Sequence, residues 1–314
     1  VEQALEELRR VWWEAARSFS LRIVTSLDQT FEAGPREVTF IGTTIQSVLD
    51  ARPRSDVDWM VVDEAHYLEE NEFGASVSRL CGDGTRLLGL SATPGRGRED
   101  ELAWQMDLFR NALVTPPELG SDPVSALVKK GVYAEVEHDR LENRDLSDLE
   151  RTAAVGSTRA VDAACSAGRL EAVLEYVTKL NATDRSIVFG YSMAHCEVLA
   201  ATLHRSGVQV EVVGSRKPES HNQEAIDRFR DGRLTCLVNV KYVATGADFP
   251  AANVAILTIP VGSPIQFEQV VGRVTRGPAV GGTFRARVAD FDNHFRLHSG
   301  LQSYARYSRN WKAT

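Results

Sequence analysis

The sequence predicts an α/β protein built from two parallel-sheet domains in tandem, and three observations carry that expectation. Short β-rich runs alternate with helical segments rather than with hairpin turns, the order of a parallel sheet flanked by helices. The 314-residue length is more than one core comfortably fills, and 43% apolar residues supply enough material for two. The alternation also lapses once, near the middle of the chain, and then resumes.

The elements follow in order. Glu2 to Arg17 sets charged and apolar residues at helical spacing, which predicts an amphipathic helix. Strands are expected at Leu21 to Thr25, Val38 to Thr43, Trp59 to Val62 and Arg86 to Leu90. Between Thr115 and about Ala160 the pattern weakens: Pro116-Pro117, Gly120 and Pro123 interrupt it, and Glu142 to Arg151 is heavily charged. The reading therefore sets a first domain over residues 1–118, a linker over 119–160, a second domain over 161–296 and a basic, aromatic tail over 297–314. In the second domain a helix is expected from Arg169 to Leu180, a strand at Ser186 to Phe189 and a helix at Ala194 to His204. Strands near Val208 to Val213, Thr235 to Val240, Val254 to Ile259 and Arg285 to Phe291, with helices from Glu219 and Pro264, complete it.

Composition narrows the function classes. A net charge of −7 argues against coating nucleic acid by bulk electrostatics, so any such contact is local, made by backbone amides, hydroxyls and a few arginines. Four cysteines (Cys81, Cys165, Cys196, Cys236) lie far apart without a Cys-x-x-Cys, which suggests neither a zinc knuckle nor a disulfide framework and fits a reducing compartment. No apolar stretch reaches membrane-spanning length and no secretory leader opens the chain, so a cytoplasmic protein without a membrane partner is expected.

The chemistry-bearing residues cluster at strand ends. In Trp59-Met60-Val61-Val62-Asp63-Glu64-Ala65-His66 an apolar strand ends in two carboxylates, the place where an open α/β sheet puts ligand groups. Asp63 suits Mg²⁺, held through water, and Glu64 suits a residue that orients or deprotonates an attacking water. His66 would sense a γ-phosphate or couple to the next element. The plain alternative is a solvated acidic turn, since Glu69, Glu70 and Glu72 continue the run. Ser91 and Thr93 close a second strand end, where such hydroxyls ordinarily make local turn hydrogen bonds. If Ile265 to Thr275 is a helix, Gln269, Gly272, Arg273 and Arg276 share one face, with two arginines placed to reach phosphates. No phosphate-cradling Gly-Lys-Ser/Thr accompanies them: none of the six lysines is followed by Ser or Thr.

Asp63-Glu64-Ala65-His66, Ser91-Ala92-Thr93, Ile187-Val188-Phe189, Ala244 to Pro250 and Gln269-x-x-Gly272-Arg273-x-x-Arg276 form an ordered series that resembles the superfamily-two helicases and translocases. The resemblance covers nearly the whole chain and implies two RecA-like domains, the first incomplete, that hold ATP and Mg²⁺ between them with a nucleic-acid strand across the top. It assigns Asp63 to Mg²⁺, Glu64 to catalysis as the base, and Gln269 to the γ-phosphate. Arg273 and Arg276 match the arginine fingers, while Gly246 and Asp248 match residues linking nucleotide to nucleic acid. Thr43, Thr44 and Gln46 look like a strand-binding segment, and Asn239 falls where a phosphate is often touched. The spelling Asp-Glu-Ala-His and the trailing Arg276-Gly277-Pro278-x-x-Gly281-Gly282 are similar to restriction-subunit and XPB-like helicases. That similarity favours DNA over RNA and leaves room for a nuclease or methylase partner or fused domain. The missing phosphate loop suggests a piece of a longer motor that is inactive alone; the rival reading is a non-hydrolysing nucleic-acid-binding or regulatory module.

Overall fold

The computed structural model describes residues 20–24, 37–49, 57–81, 84–95, 99–142, 166–240, 249, 251–258, 261, 264–291, 301 and 303–313. The expected helix at Glu2 to Arg17 lies outside them. Two units emerge, one of Val1–Val114 with Tyr307–Thr314 and the other of Thr115–Arg306.

In the first unit, β1 (Ser20–Val24) pairs in parallel with β2 (Glu37–Ile41), and β3 (Trp59–Val62) pairs in parallel with β4 (Arg86–Gly89). Helices α1 (Ile45–Leu49), α2 (Glu72–Leu80) and α3 (Glu99–Leu108) accompany them. Asn71 starts α2 by accepting from the amides of Phe73 and Gly74 at 3.0 and 3.3 Å, an N-cap that satisfies otherwise orphaned donors. The core gathers Val48, Leu68, Val77 and Leu80, with Met60, Val62, Leu87, Trp104, Leu108 and Phe109 packed around them. On the other face of β3 and β4, Trp59, Val61 and Leu88 are exposed. After α3, β5 (Ala112–Leu113) pairs in parallel with β12 (Lys312–Ala313) from the end of the chain.

The second unit holds a six-stranded, all-parallel sheet ordered β6-β11-β10-β7-β9-β8. The strands are β6 (Glu135–Arg140), β7 (Ser186–Gly190), β8 (Val210–Val213), β9 (Cys236–Val240), β10 (Val254–Leu257) and β11 (Arg285–Asp290). Central strands are mostly apolar because both faces are covered, with Ser186 and Asn239 as buried polar exceptions. On one face Ile187, Phe189, Leu237, Ala255, Leu257 and Val288 pack against α7 (Glu219–Arg230) and α8 (Pro264–Val271), through Phe229 and Phe267 among others. On the other, Val188, Val238, Val254 and Ile256 meet α5 (Ala167–Thr178) and α6 (Met193–Arg205) through Val173, Leu199 and Leu203. Cys236 lies in this layer, and burial pushes its thiol up to about 12, so it is unreactive.

Two boundaries differ from the sequence reading. Residues 119–142, expected to be linker, contain α4 (Pro123–Lys129) and β6, the edge strand of the large sheet. Pro123 does not interrupt structure here: it occupies the first turn of α4, behind Asp122, whose carboxylate accepts from the Ser125 amide at 3.1 Å. The segment Glu135-Val136-Glu137-His138-Asp139-Arg140 hid because an edge strand tolerates charge that a central strand cannot. The expected tail is divided: α9 (Ser303–Ser308) begins in the second unit, while Tyr307–Thr314 group with the first. No helix among the described residues is long and apolar enough to cross a membrane.

Candidate active site

β3 and β4 end side by side, and their two loops carry the acidic residues. Val62 is in register with Gly89, Leu90 N donates to Val62 O at 2.8 Å, and Ala65 N donates to Leu90 O at 2.9 Å. Asp63 and Glu64 thus sit, exposed, at the carboxyl end of a parallel pair. Glu64 has φ 49° and ψ 44°, a left-handed conformation that costs a non-glycine residue energy and persists where its surroundings over-determine it. Those surroundings are the Ala65 bond to Leu90, the Glu64 amide donating to Asp63 Oδ1 at 2.9 Å, and Gly89, where an added Cβ would stand 2.8 Å from the Ala65 methyl.

The turn then carries His66 inward, leaving it 4% exposed. Its Nδ1 lies 3.0 Å from Ser91 Oγ and 3.3 Å from Glu64 Oε2. The Ser91 hydroxyl donates to Thr93 O at 2.9 Å and accepts from Thr93 N at 3.0 Å. With its one proton committed, Ser91 can only accept from the imidazole, so the ring proton is assigned to Nδ1. His66 therefore bridges the Glu64 carboxylate of one loop and the Ser91 hydroxyl of the next. Thr93 is buried, and its Oγ1 has no hydrogen-bond partner among the described residues.

Sequence reasoning missed Gln105. Its buried amide, on α3, reaches the carbonyls of Leu68 at 2.7 Å and His66 at 3.1 Å, with Ala65 at 3.4 Å, and so fixes the whole turn from behind. A lone glutamine on a helix gives no motif signal; its role exists only once the turn is folded beside it.

The expected arginine segment lies in the second unit, and here the expected helix from Ile265 to Thr275 is corrected. α8 stops at Val271. Arg273 N bonds Val270 O at 3.3 Å and Val274 N bonds Val271 O at 2.9 Å, a tightening to three-residue spacing. Thr275 O accepts from Ala134 N at 2.8 Å, and Arg276 then forms an antiparallel bridge with Tyr133. Gln269 is on the helix, Arg273 in the turn and Arg276 on an extended segment, so the four residues do not share one helical face. The close backbone approach belongs not to Gly272, which is exposed, but to Gly277: a Cβ there would fall on the Gly131 carbonyl. Burial, and then the Glu268 carboxylate, raise the pKa of Tyr133, which keeps this phenol neutral beside the arginine segment.

The remaining expected residues scatter. Thr44 is exposed and takes the capping position before α1, with Ser47 N donating to its carbonyl at 3.1 Å; Thr43 precedes it, and the side chain of Gln46 lies outside the described residues. Asn239 is fully buried on β9, and neither amide atom has a hydrogen-bond partner among the described residues, so it presents no surface to a strand in this conformation. Gly246 and Asp248 fall outside the described residues.

The fold is that of RecA-like helicase domains, and residues 168–277 match the helicase conserved C-terminal domain. Several of the curated relatives that the chain matches are named as helicases. The chain is 27% identical over 223 residues to a Haloarcula marismortui protein named as a DNA 3'-5' helicase, Rad25, covering 69% of this chain and 33% of that one. Among solved structures, it resembles a fragment described as the HsdR subunit of a type I restriction enzyme from Vibrio vulnificus, with a TM-score of 0.65 and 18% identity, covering 93% of this chain and 53% of the other. Dbp5 of S. cerevisiae bound to RNA and ADP BeF3 aligns with a TM-score of 0.56 and 17% identity, over 94% of this chain and 70% of that one. The chain spans less than half the length of the curated relatives it matches.

Proposed function

We propose that this chain is the core of an ATP-dependent nucleic-acid helicase or translocase, with DNA as its track. The observation that carries the reading is the Glu64–His66–Ser91 constellation at the ends of two parallel strands, in a chain whose second unit matches a helicase C-terminal domain. Asp63 and Glu64 fit a hard cation: both are exposed carboxylates at the carboxyl end of a strand, an all-oxygen donor set. When bound, Mg²⁺ neutralises phosphate charge, and Asp63 is the residue that would hold it.

Glu64 orients the attacking water and takes its proton. The Nδ1–H of His66 steadies the glutamate at 3.3 Å, so the carboxylate keeps one geometry while Ser91 reports the state of the neighbouring loop. Arg273 and Arg276 supply positive charge to the transferring phosphoryl group, and Gln269 contacts the γ-phosphate. Because no lysine is followed by Ser or Thr, the phosphate-gripping loop is assigned to another part of the protein, and the 314-residue chain alone is expected to turn over little ATP. Thr43, Thr44 and Gln46 are proposed to meet the nucleic acid, and Gly246 and Asp248 to relay its presence. DNA is favoured by the names of the Rad25 and HsdR relatives, while Dbp5 is titled as bound to RNA.

The test is hydrolysis by the full-length protein with single-stranded DNA, duplex DNA or RNA. Glu64→Gln is expected to lower turnover by about 10²- to 10⁴-fold while ATP binding persists. Normal hydrolysis by that variant would refute the assignment of the base, and stimulation by RNA alone would overturn the choice of track. A protein that binds DNA without hydrolysing ATP in any form would support the non-hydrolysing module instead.

A further inference from the structure

The last residues of the chain are packed on the loop that carries Ser91 and Thr93. Trp311 Nε1–H donates to the Pro94 carbonyl at 2.8 Å. The ring of Tyr307, at the end of α9, lies against Gly95 so closely that a Cβ at that position would collide with it. Trp311 also stands near Phe109, with ring centroids 6.4 Å apart. Beyond it, Lys312 N donates to Asn111 O at 3.2 Å and Oδ1 at 3.1 Å as β12 pairs with β5. Thr93, Pro94 and Gly95 are buried.

From this contact a continuous path of bonds leads to the catalytic carboxylate. Pro94 accepts from Trp311; Gly95 N donates to Thr93 O at 2.8 Å; Thr93 and Ser91 exchange bonds at 2.9 and 3.0 Å; Ser91 accepts from His66, which reaches Glu64. At its other end the strap leaves the second unit after Arg306, where Tyr304 of α9 is hydrogen-bonded to Thr115, the residue at which the chain first enters that unit. The segment is thus anchored at both ends.

We propose that Tyr307–Ala313 is a strap that positions the Ser91–Gly95 loop, and that Trp311 is a positioning residue for the Glu64–His66 pair. Hydrolysis then depends on how the chain's last residues are held, although none of them touches the reacting atoms. The proposal rests on Glu64 being the catalytic carboxylate.

The test compares Trp311→Phe, which keeps a ring beside Phe109 and removes the N–H, with Gly95→Ala, which pushes Tyr307 away from the loop's side. In each full chain, amide exchange at Thr93 and Gly95 is expected to quicken, by up to about tenfold for loss of one ordinary hydrogen bond, with the melting temperature of Trp311→Phe little changed. In the full-length protein, nucleic-acid-stimulated kcat is expected to fall roughly three- to tenfold with KM for ATP unchanged. Unchanged exchange at both amides overturns the strap, and so does faster exchange with unaltered kcat. Glu64→Gln measured alongside keeps the failures apart: hydrolysis surviving there overturns the reading of Glu64, whatever Trp311 does to the loop.

Discussion

At the scale of single residues, the site combines one strained backbone with several buried polar groups whose protonation is fixed by geometry. His195 is a clear case outside the acidic loop. It is 9% exposed at the start of α6, and its Nδ1 accepts from the Tyr191 amide at 3.1 Å. The neutral ring carries its proton on Nε2, so a second proton must take the lone pair that Tyr191 uses. Burial, and then the positive Arg169, lower its pKa from 6.5 to about 4. The unfolded chain therefore binds a proton near pH 6.5 that the folded chain refuses until about 4. This contribution to stability is fully present above pH 6.5 and is lost as pH falls toward 4, with a slope of about 1.4 kcal/mol per pH unit. His195→Gln should flatten that stretch of the stability curve, read by urea unfolding between pH 7 and 4.5; an unaltered slope would assign the pH dependence to other groups. The charge-bearing residues of the acidic loop were legible because Asp63, Glu64 and His66 form a short motif after a strand. Gln105 and Gly89 were not, since each acts through an atom distant in sequence: a carbonyl 39 residues away in one case, a methyl group on the preceding strand's loop in the other.

At the scale of elements, the central strands were readable and the arginine segment was not. β7, β9 and β10 are largely apolar runs that a doubly covered sheet accommodates, and their expected spans differ from the observed ones by two residues or fewer. β6 carries five ionisable residues in six and declared itself only by pairing with β11. The end of α8 depended on that same unrecognised segment, because Ala134 and Tyr133 are what draw Thr275 and Arg276 out of the helix. Gly277 is the fulcrum: its amide donates to Val132 O at 2.8 Å, its carbonyl accepts from Gly282 N at 2.9 Å, and its missing Cβ leaves room for Gly131. Its φ is −86°, so the need for glycine is one of space. Gly277→Ala should force the two segments apart, destabilising the chain by about 1–3 kcal/mol and shifting Arg276. If Arg276 contacts phosphate as proposed, turnover of the full-length protein is expected to drop at least about tenfold, since misplacing such a group is costly. Gly281→Ala is the control: its φ of 82° imposes a cost of about 1 kcal/mol, but the space around it is open and Arg276 stays in place. Equal losses of turnover in the two variants would mean that general destabilisation, not the position of Arg276, sets the rate.

At the scale of the molecule, the two units are unequal. The second buries both faces of a six-stranded sheet, whereas in the described part of the first the core centres on Val48, Leu68, Val77 and Leu80, and Trp59, Val61 and Leu88 remain exposed. Hydrophobic burial is the main stabilising term, so the first unit should unfold first. The sequence provides a reporter for this. All five tryptophans (Trp12, Trp13, Trp59, Trp104, Trp311) fall within Val1–Val114 or Tyr307–Thr314, and the second unit has none. Tryptophan fluorescence therefore follows the first unit, while far-UV circular dichroism follows both. On heating, the fluorescence transition is expected at least about 5 °C below the main loss of ellipticity, the gap that a difference of roughly 1 kcal/mol gives a domain of this size. Trp311 belongs to the less stable unit, so weakening the strap with Gly95→Ala should lower the fluorescence midpoint and leave the later transition in place. Coincident transitions in both proteins would show that the units unfold as one cooperative body, and the strap would then be part of a shared core rather than a fitting on the first unit alone.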